Sequence, residues 1–173
     1  GPDAWLDIHK AAHRLGIRTS ATMLAGHIER MDERVTHLIR LREAQDETGG
    51  FLAYIPLRFH PENTPLKKLN FMDSEGVLRQ VAVGRLMLDN FVNIKAYWVM
   101  SGLENAVKSQ HMGANDFDGT VVDERITHMA GCETPVGVTE DRLRNLIKKA
   151  GREPARRDAL YNIIEKPAAA QVS

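Results

Sequence analysis

One cysteine, Cys132, serves a chain of 173 residues. A lone thiol forms no intrachain disulfide and cannot by itself hold an iron–sulfur cluster or a zinc–thiolate centre. An excess of charge of either sign is also missing, because 23 basic residues face 23 acidic ones. A nucleic-acid binder carries a basic footprint and a membrane-surface protein a cluster of lysines and arginines; the sequence has neither. No apolar run approaches the roughly 20 residues of a membrane span, and no signal peptide is recognisable. These absences lead to the expectation of a cytoplasmic protein with no nucleic-acid and no membrane partner. An initiator methionine is lacking too, so Gly1-Pro2 is expected to open a part of a longer protein.

What is present is ordinary globular composition, 43% hydrophobic and 27% charged, enough for one domain with a real core. The pattern alternates helix and strand. Residues 2–15 read as an amphipathic helix with Trp5, Ile8, Ala12 and Leu15 on one face and Gly16 as its stop. Residues 17–26 read as a strand, 32–47 as a helix with Val35, Leu38, Ile39 and Leu41 inward, and 51–57 as a second strand. An apolar helix over 77–90 follows, then a third strand over 94–100 and a short helix over 103–111. Residues 115–122 read as a polar strand or strand-end loop. Thr139 caps a helix with Glu140 and Asp141 in its first turn and Leu143, Leu146, Ile147 and Ala150 as its stripe. A short helix is expected over 158–165, and a disordered tail over 167–173.

Strands alternating with helices imply parallel β/α units. A closed eight-stranded barrel takes roughly 250 residues, and this chain offers about half the strands. The expected fold is therefore α/β: residues 1–166 as the C-terminal half of a TIM-type (β/α) barrel, whose open edge needs its own N-terminal half.

In such a barrel the reactive rim lies where strands end. The polar residues there are His27 and Glu29; Arg58, His60, Glu62 and Asn63; Ser101; and Asn115, Asp116, Asp118 and Thr120. The stretch YIPLRFHPENTPL is the most pointed case, a buried strand ending in hydrogen-bonding groups between two prolines. Arg58 there suits a carboxylate fork or a structural salt bridge. Asp116 and Asp118 suit a site or Asx turns, and His27 and His60 a site or local caps. His9 and His13 stand four apart on a helix, but with no third ligand in range they read as surface side chains. Cys132 reads as a small loop residue.

The segments ATMLAGHIE, LREAQDETGGF, IPLRFHPENTPL, RLMLDNFVNIKAYWVM, GANDFDGTVV, ITHMAG and RRDALYNII add a resemblance that spacing alone does not. Together they closely resemble the aminofutalosine synthase family of radical S-adenosylmethionine enzymes, from the futalosine route to menaquinone. The resemblance implies S-adenosylmethionine and a 4Fe–4S cluster as cofactors. It places the cluster on a three-cysteine motif in the preceding half-barrel, so no metal ligand is assigned in this chain. It matches Thr22, Leu24, Gly26 and Glu29 to a G-x-I-x-G-x-x-E pattern in which only Gly26 and Glu29 are retained. Leu24, Gly26, Glu29, Pro56 and Leu57 are thereby expected around the cofactor. Arg58 is expected to clamp a substrate carboxylate, with His60, Asn63, Asp116 and Thr120 around the rest. The implied reaction adds the 5′-deoxyadenosyl group to the enolpyruvyl ether of 3-hydroxybenzoate, giving aminodeoxyfutalosine. The implied partners are a small-molecule substrate and a reductant for the cluster. The sister dehypoxanthine futalosine cyclase is the alternative within the superfamily. A non-catalytic half-barrel interaction module is the alternative from another class.

Overall fold

The computed structural model describes residues 1–69, 72–121, 125–135 and 137–165. The tail expected to be disordered, 167–173, lies outside them.

Small and β-branched residues make the first strand, β1 (Thr19–Ala25), which pairs in parallel with the long apolar strand β2 (Phe51–Arg58). The helix α1 (Pro2–Arg14) precedes β1, and α2 (Met31–Thr48) connects it to β2. The helix α3 (Ser74–Met87) leads to β3 (Asn93–Ala96). The helices α4 (Trp98–Ser101) and α5 (Leu103–Ser109) lead to β4 (Asp116–Phe117). The sheet runs in the order β1-β2-β3-β4 and every pair is parallel. This is the expected α/β arrangement, left as an open sheet with no closed barrel among the described residues. The helix α6 (Ile126–Met129), the helix α7 (Glu140–Lys149) and an antiparallel hairpin, β5 (Arg156–Arg157) and β6 (Ile163–Glu165), complete the described residues.

Strand side chains alternate between faces, and parallel register carries one strand's faces to the next. The Tyr54 ring lies against α3, so close that a Cβ on Gly84 would stand 2.7 Å from it. Register sets Ala21, Met23 and Ala25 beside Tyr54, Pro56 and Arg58, so these six share the helix-covered face. Ile94 continues it on β3. The core lies there, around Tyr54, Leu38, Leu41, Val81, Leu88, Phe91, Ile94 and Trp98. The opposite face carries Thr22 and Leu24, Ile55 and Leu57, Asn93 and Lys95, and Asp116.

Four expectations require correction. The third strand stops at Ala96 rather than running to residue 100, because Trp98 turns into α4 and its indole N–H reaches the carbonyls of Asp118 and Gly119 at 3.2 Å. A continuous apolar run such as 96–100 carries no periodicity to distinguish the two. The buried stripe of α2 is Leu38, Leu41, Ala44 and Gln45, while Val35 and Ile39 are exposed. The Gln45 amide fixes that rotation: it donates to the Phe51 carbonyl at 3.2 Å and accepts from the Phe51 N–H at 2.9 Å. The helix expected over 158–165 is instead the hairpin. Asp158 accepts from the amides of Leu160 and Asn162 at 2.8 and 2.9 Å, so its carboxylate captures donors that a helix would use.

The fourth correction concerns α1, whose packed face is not the expected one: Ile8 and Leu15 are exposed, while Leu6 is buried. His9 and His13 are not free surface side chains. Their Nδ1 and Nε2 atoms respectively meet the Thr19 hydroxyl at 2.8 Å, and His13 Nδ1 meets Thr48 Oγ1 at 2.6 Å. The His13 ring stands edge-on to Phe51 and covers Gly50, where any Cβ would collide with it at 2.1 Å. Burial lowers both histidines from 6.5, and the charge of His9 lowers His13 further.

The folded state thus holds fewer protons on these rings than the unfolded chain does. Their stabilising contribution is complete above pH 6.5 and is lost as pH falls below it. Circular-dichroism melts across pH 7.5 to 5 should show a falling midpoint, with a shallower slope in the His9→Gln/His13→Gln variant. Equal slopes would remove the pair as its source.

Candidate functional site

Past Ala25 the chain turns at Gly26 with φ +99°, and a Cβ there would sit 3.1 Å from Met72. Only glycine adopts that backbone without strain. The turn brings Glu29 back under its own loop, where it accepts from the amides of Gly26 and His27 at 2.7 and 2.9 Å and from Arg34 Nε at 2.7 Å. Burial pushes the Glu29 carboxyl up, but the amide and guanidinium donors outweigh it and hold the group below its ordinary value. Gly26, expected around the cofactor, thus has its amide bound to Glu29. A cavity of about 460 Å³ lies beside this loop, lined by Leu24, Glu29, Arg34 and His37 among others. Leu24 is 41% exposed and stands in register with Leu57, forming an apolar plate on the open face. Pro56 lies on the opposite face with Met23.

At the end of β2, the polar residues that drew attention in the sequence hold the loop in place. His60 is buried, and its Nε2–H donates to the Met100 carbonyl at 2.8 Å, which assigns that tautomer. Asn63 donates from Nδ2 to the Met129 carbonyl at 3.0 Å, and its amide reaches Ala130. The Thr64 hydroxyl bonds the Pro61 carbonyl at 2.9 Å, between the two prolines. Arg58 shares the helix-covered face with Tyr54 and Ala25. Burial draws its guanidinium below the ordinary value, against the opposing pull of Cys132, Glu62 and Asp73.

The densest polar group sits on the open face of β3 and β4. Lys95 donates to Asp118 Oδ1 at 2.8 Å and lies 3.6 Å from Asp116 Oδ2. Arg157, from the hairpin, takes Asp116 in a fork, Nε to Oδ1 at 2.5 Å and Nη2 to Oδ2 at 2.9 Å. The Tyr161 hydroxyl adds a bond to Asp116 Oδ2 at 3.1 Å, and the Arg157 guanidinium covers the Tyr161 ring at 3.8 Å. Burial lowers Lys95, yet Asp118 and Asp116 more than offset it, so the ammonium stays charged. Burial and the Asp116 charge both raise Tyr161, which keeps its phenol proton to donate. This cluster lines a cavity of about 1180 Å³, and Thr120 borders it from the exposed loop after β4.

The structure therefore brings Asp116 and Thr120 to one cavity and Leu24 and Glu29 to another, with Leu57 beside Leu24. It turns Arg58 to the other face, and ties His60 and Asn63 to backbone carbonyls. Sequence reading missed Lys95, Arg157 and Tyr161. A lysine within an apolar strand was the available signal for the first; the helix expected over 158–165 hid Tyr161, and no local pattern marked Arg157. Among the described residues no three His, Cys, Asp or Glu side chains gather as a metal would require. The Cys132 thiol is buried and donates to the Val99 carbonyl at 3.3 Å.

Comparison with known proteins agrees with this architecture. The profile of the CofH/MqnC C-terminal region matches residues 48–170. The chain is 51% identical over 163 residues to an aminodeoxyfutalosine synthase of Thermus thermophilus, covering 92% of this chain and 44% of that protein. It is 40% identical over 164 residues to a 5-amino-6-(D-ribitylamino)uracil–L-tyrosine 4-hydroxyphenyl transferase of Archaeoglobus fulgidus, covering 93% and 48%. It is 39% identical over 162 residues to a cyclic dehypoxanthine futalosine synthase of Halalkalibacterium halodurans, covering 94% and 43%. The chain thus spans a little under half the length of the curated relatives it matches.

Replacing Gly26 by alanine should cost about 1 kcal/mol or more, since the native φ excludes it. Replacing Glu29 by glutamine should lower the melting midpoint at neutral pH. The gap to the parent chain should close as pH falls below 4.5, because a carboxyl held low in the fold contributes only while ionised. A pH-independent gap would mean that Glu29 acts through packing alone.

Proposed function

The chain belongs to the CofH/MqnC C-terminal region family, and on that premise we propose that it forms half of the reaction chamber of a radical S-adenosylmethionine enzyme of the aminodeoxyfutalosine synthase type. The observation that carries the reading is the open sheet face. It joins an apolar plate, Leu24 and Leu57, to a charged cluster around Lys95 and Asp116, all on the side the helices leave bare. A non-catalytic half-barrel would have no need of such an interior. Among the relatives, the higher identity to an aminodeoxyfutalosine synthase supports that reaction over those of the cyclic dehypoxanthine futalosine synthase and the 4-hydroxyphenyl transferase.

The residues present fit one cofactor and not the other. A leucine pair in register, Leu24 exposed and Leu57 half-buried, suits the flat face of an adenine ring, so the two would hold the adenosine of S-adenosylmethionine. Gly26 and Glu29 would shape the turn beneath it. A 4Fe–4S cluster needs thiolates, and the buried, hydrogen-bonded Cys132 does not supply a set. In this reading the ligands stand on the missing N-terminal half, which pairs with the free edges of the sheet. Bound S-adenosylmethionine supplies the 5′-deoxyadenosyl group. The chain's own part is to seat the adenosine, bind the polar ends of the enolpyruvyl ether of 3-hydroxybenzoate, and exclude water from the chamber. A cytoplasmic location with a reductant as partner belongs to the same proposal. For Arg58, whose face is turned to the helices, the role that fits is support of the β2 loop.

The test uses the full protein, reconstituted anaerobically with iron and sulfide and supplied with reductant. Product and 5′-deoxyadenosine should form, and Leu24→Asp should raise the Kd for S-adenosylmethionine by about tenfold or more, as a charge set against an apolar ligand face does. The isolated 173-residue chain should yield neither compound. Turnover by that chain, or unchanged cofactor affinity in the variant, would overturn the assignment.

A further inference from the structure

The cavity of about 1180 Å³ is lined by six basic side chains against four acidic ones, in a chain whose net charge is zero. The lining thus carries a net positive charge, which favours an anion. Within this chamber the two aspartates differ. Both oxygens of Asp116 are engaged, by the Arg157 fork and by the Tyr161 hydroxyl. Asp116 stands 3.6 Å from Lys95, an ion pair without a hydrogen bond. Lys95 has three N–H donors and gives one to Asp118. It stands on the open face beside Asn93, held between strands of the sheet.

We infer that Lys95 receives a carboxylate of the substrate in this chamber through the N–H donors that Asp118 leaves, and that Arg157 and Tyr161 are positioning residues that hold Asp116 at ion-pair distance without a hydrogen bond to Lys95. The substrate class rests on the proposed function; the arrangement of charges does not. The hairpin is built for the task. Tyr161 sits at φ +66°, the one non-glycine residue with positive φ among the described residues. Such a conformation persists only where the surroundings enforce it. Asp158 enforces it, through its bonds to the Leu160 and Asn162 amides and to Asn162 Nδ2 at 2.8 Å. The Tyr161 ring then lies under the Arg157 guanidinium while its hydroxyl reaches Asp116. Without the hairpin's two donors, Asp116 turns to the nearest remaining cation, Lys95, and closes the place an incoming carboxylate would take.

The experiment measures binding to the full protein without reductant, by calorimetry, using isophthalate as a dicarboxylate probe and isophthalamide as its uncharged counterpart. Lys95→Met should weaken isophthalate about tenfold or more, the loss expected when a charge-assisted hydrogen bond goes, and leave isophthalamide unchanged. Lys95→Arg should keep most of the affinity. Arg157→Gln should weaken isophthalate severalfold, and adding Asp116→Asn to it should restore the affinity, because the competing carboxylate is gone. A merely structural hairpin predicts that the double variant binds no better than the single one. If circular dichroism shows Arg157→Gln unfolded, Arg157→Lys takes its place, with the same rescue expected. Equal isophthalate affinity in Lys95→Met, or no rescue by Asp116→Asn, would overturn the inference. Neither outcome depends on turnover, so a failure of the proposed reaction remains distinguishable.

Discussion

The parallel pairing of β1 with β2 is the constraint on which everything else rests. Six residue pairs in continuous register, from Ser20 with Ala53 to Ala25 with Arg58, assign each side chain to one of two faces. A slip of one residue would exchange those faces, sending Leu24 and Leu57 into the helix layer and Tyr54 into the open. Tyr54 prevents the slip, since its buried ring fits against α3 only where Gly84 leaves room. Gln45 fixes the start of β2 through a two-way amide bond to Phe51, and α2 takes its rotation from the same bond.

Burial on one face creates a problem of polar satisfaction at the strand ends, and the chain meets it in two ways. At the ends of β1 and β2 the polar side chains turn back on the backbone: Glu29 to the amides of its own loop, His60 and Asn63 to the carbonyls of neighbouring helices. These bonds cost little and fix loop geometry. At β3 and β4 the charges meet other charges instead, and the pairing reaches across some forty residues to Arg157 and Tyr161. A buried ion pair is weak evidence for stability, because desolvation offsets attraction. Its position beside a large cavity is what supports the proposal that this cluster is a site rather than a brace.

The elements that the sequence announced clearly were those with strong local signals. The Thr139 cap with its acidic first turn and the apolar run of β2 appear where the pattern placed them. The misjudged elements had conflicting local signals. The segment YWVM is apolar on every side, so period could not decide between strand and helix. Residues 158–165 contain an aspartate that competes with helical hydrogen bonding for its own backbone amides.

By itself the sequence determined the alternation of β and α units, the parallel sheet, and the rim as the place where polar residues gather, because all three follow from periodicity and local chemistry. It also carried the family resemblance in its long segments. Which of the gathered residues face the chamber was decided only in three dimensions. Arg58 and Leu57 are neighbours in the chain, yet register puts one against the helices and the other on the open face. Arg157 and Asp116 are 41 residues apart, and no local pattern links them. Their fork exists because β4 and the returning hairpin meet over the same cavity, a juxtaposition set by the packing of the whole chain.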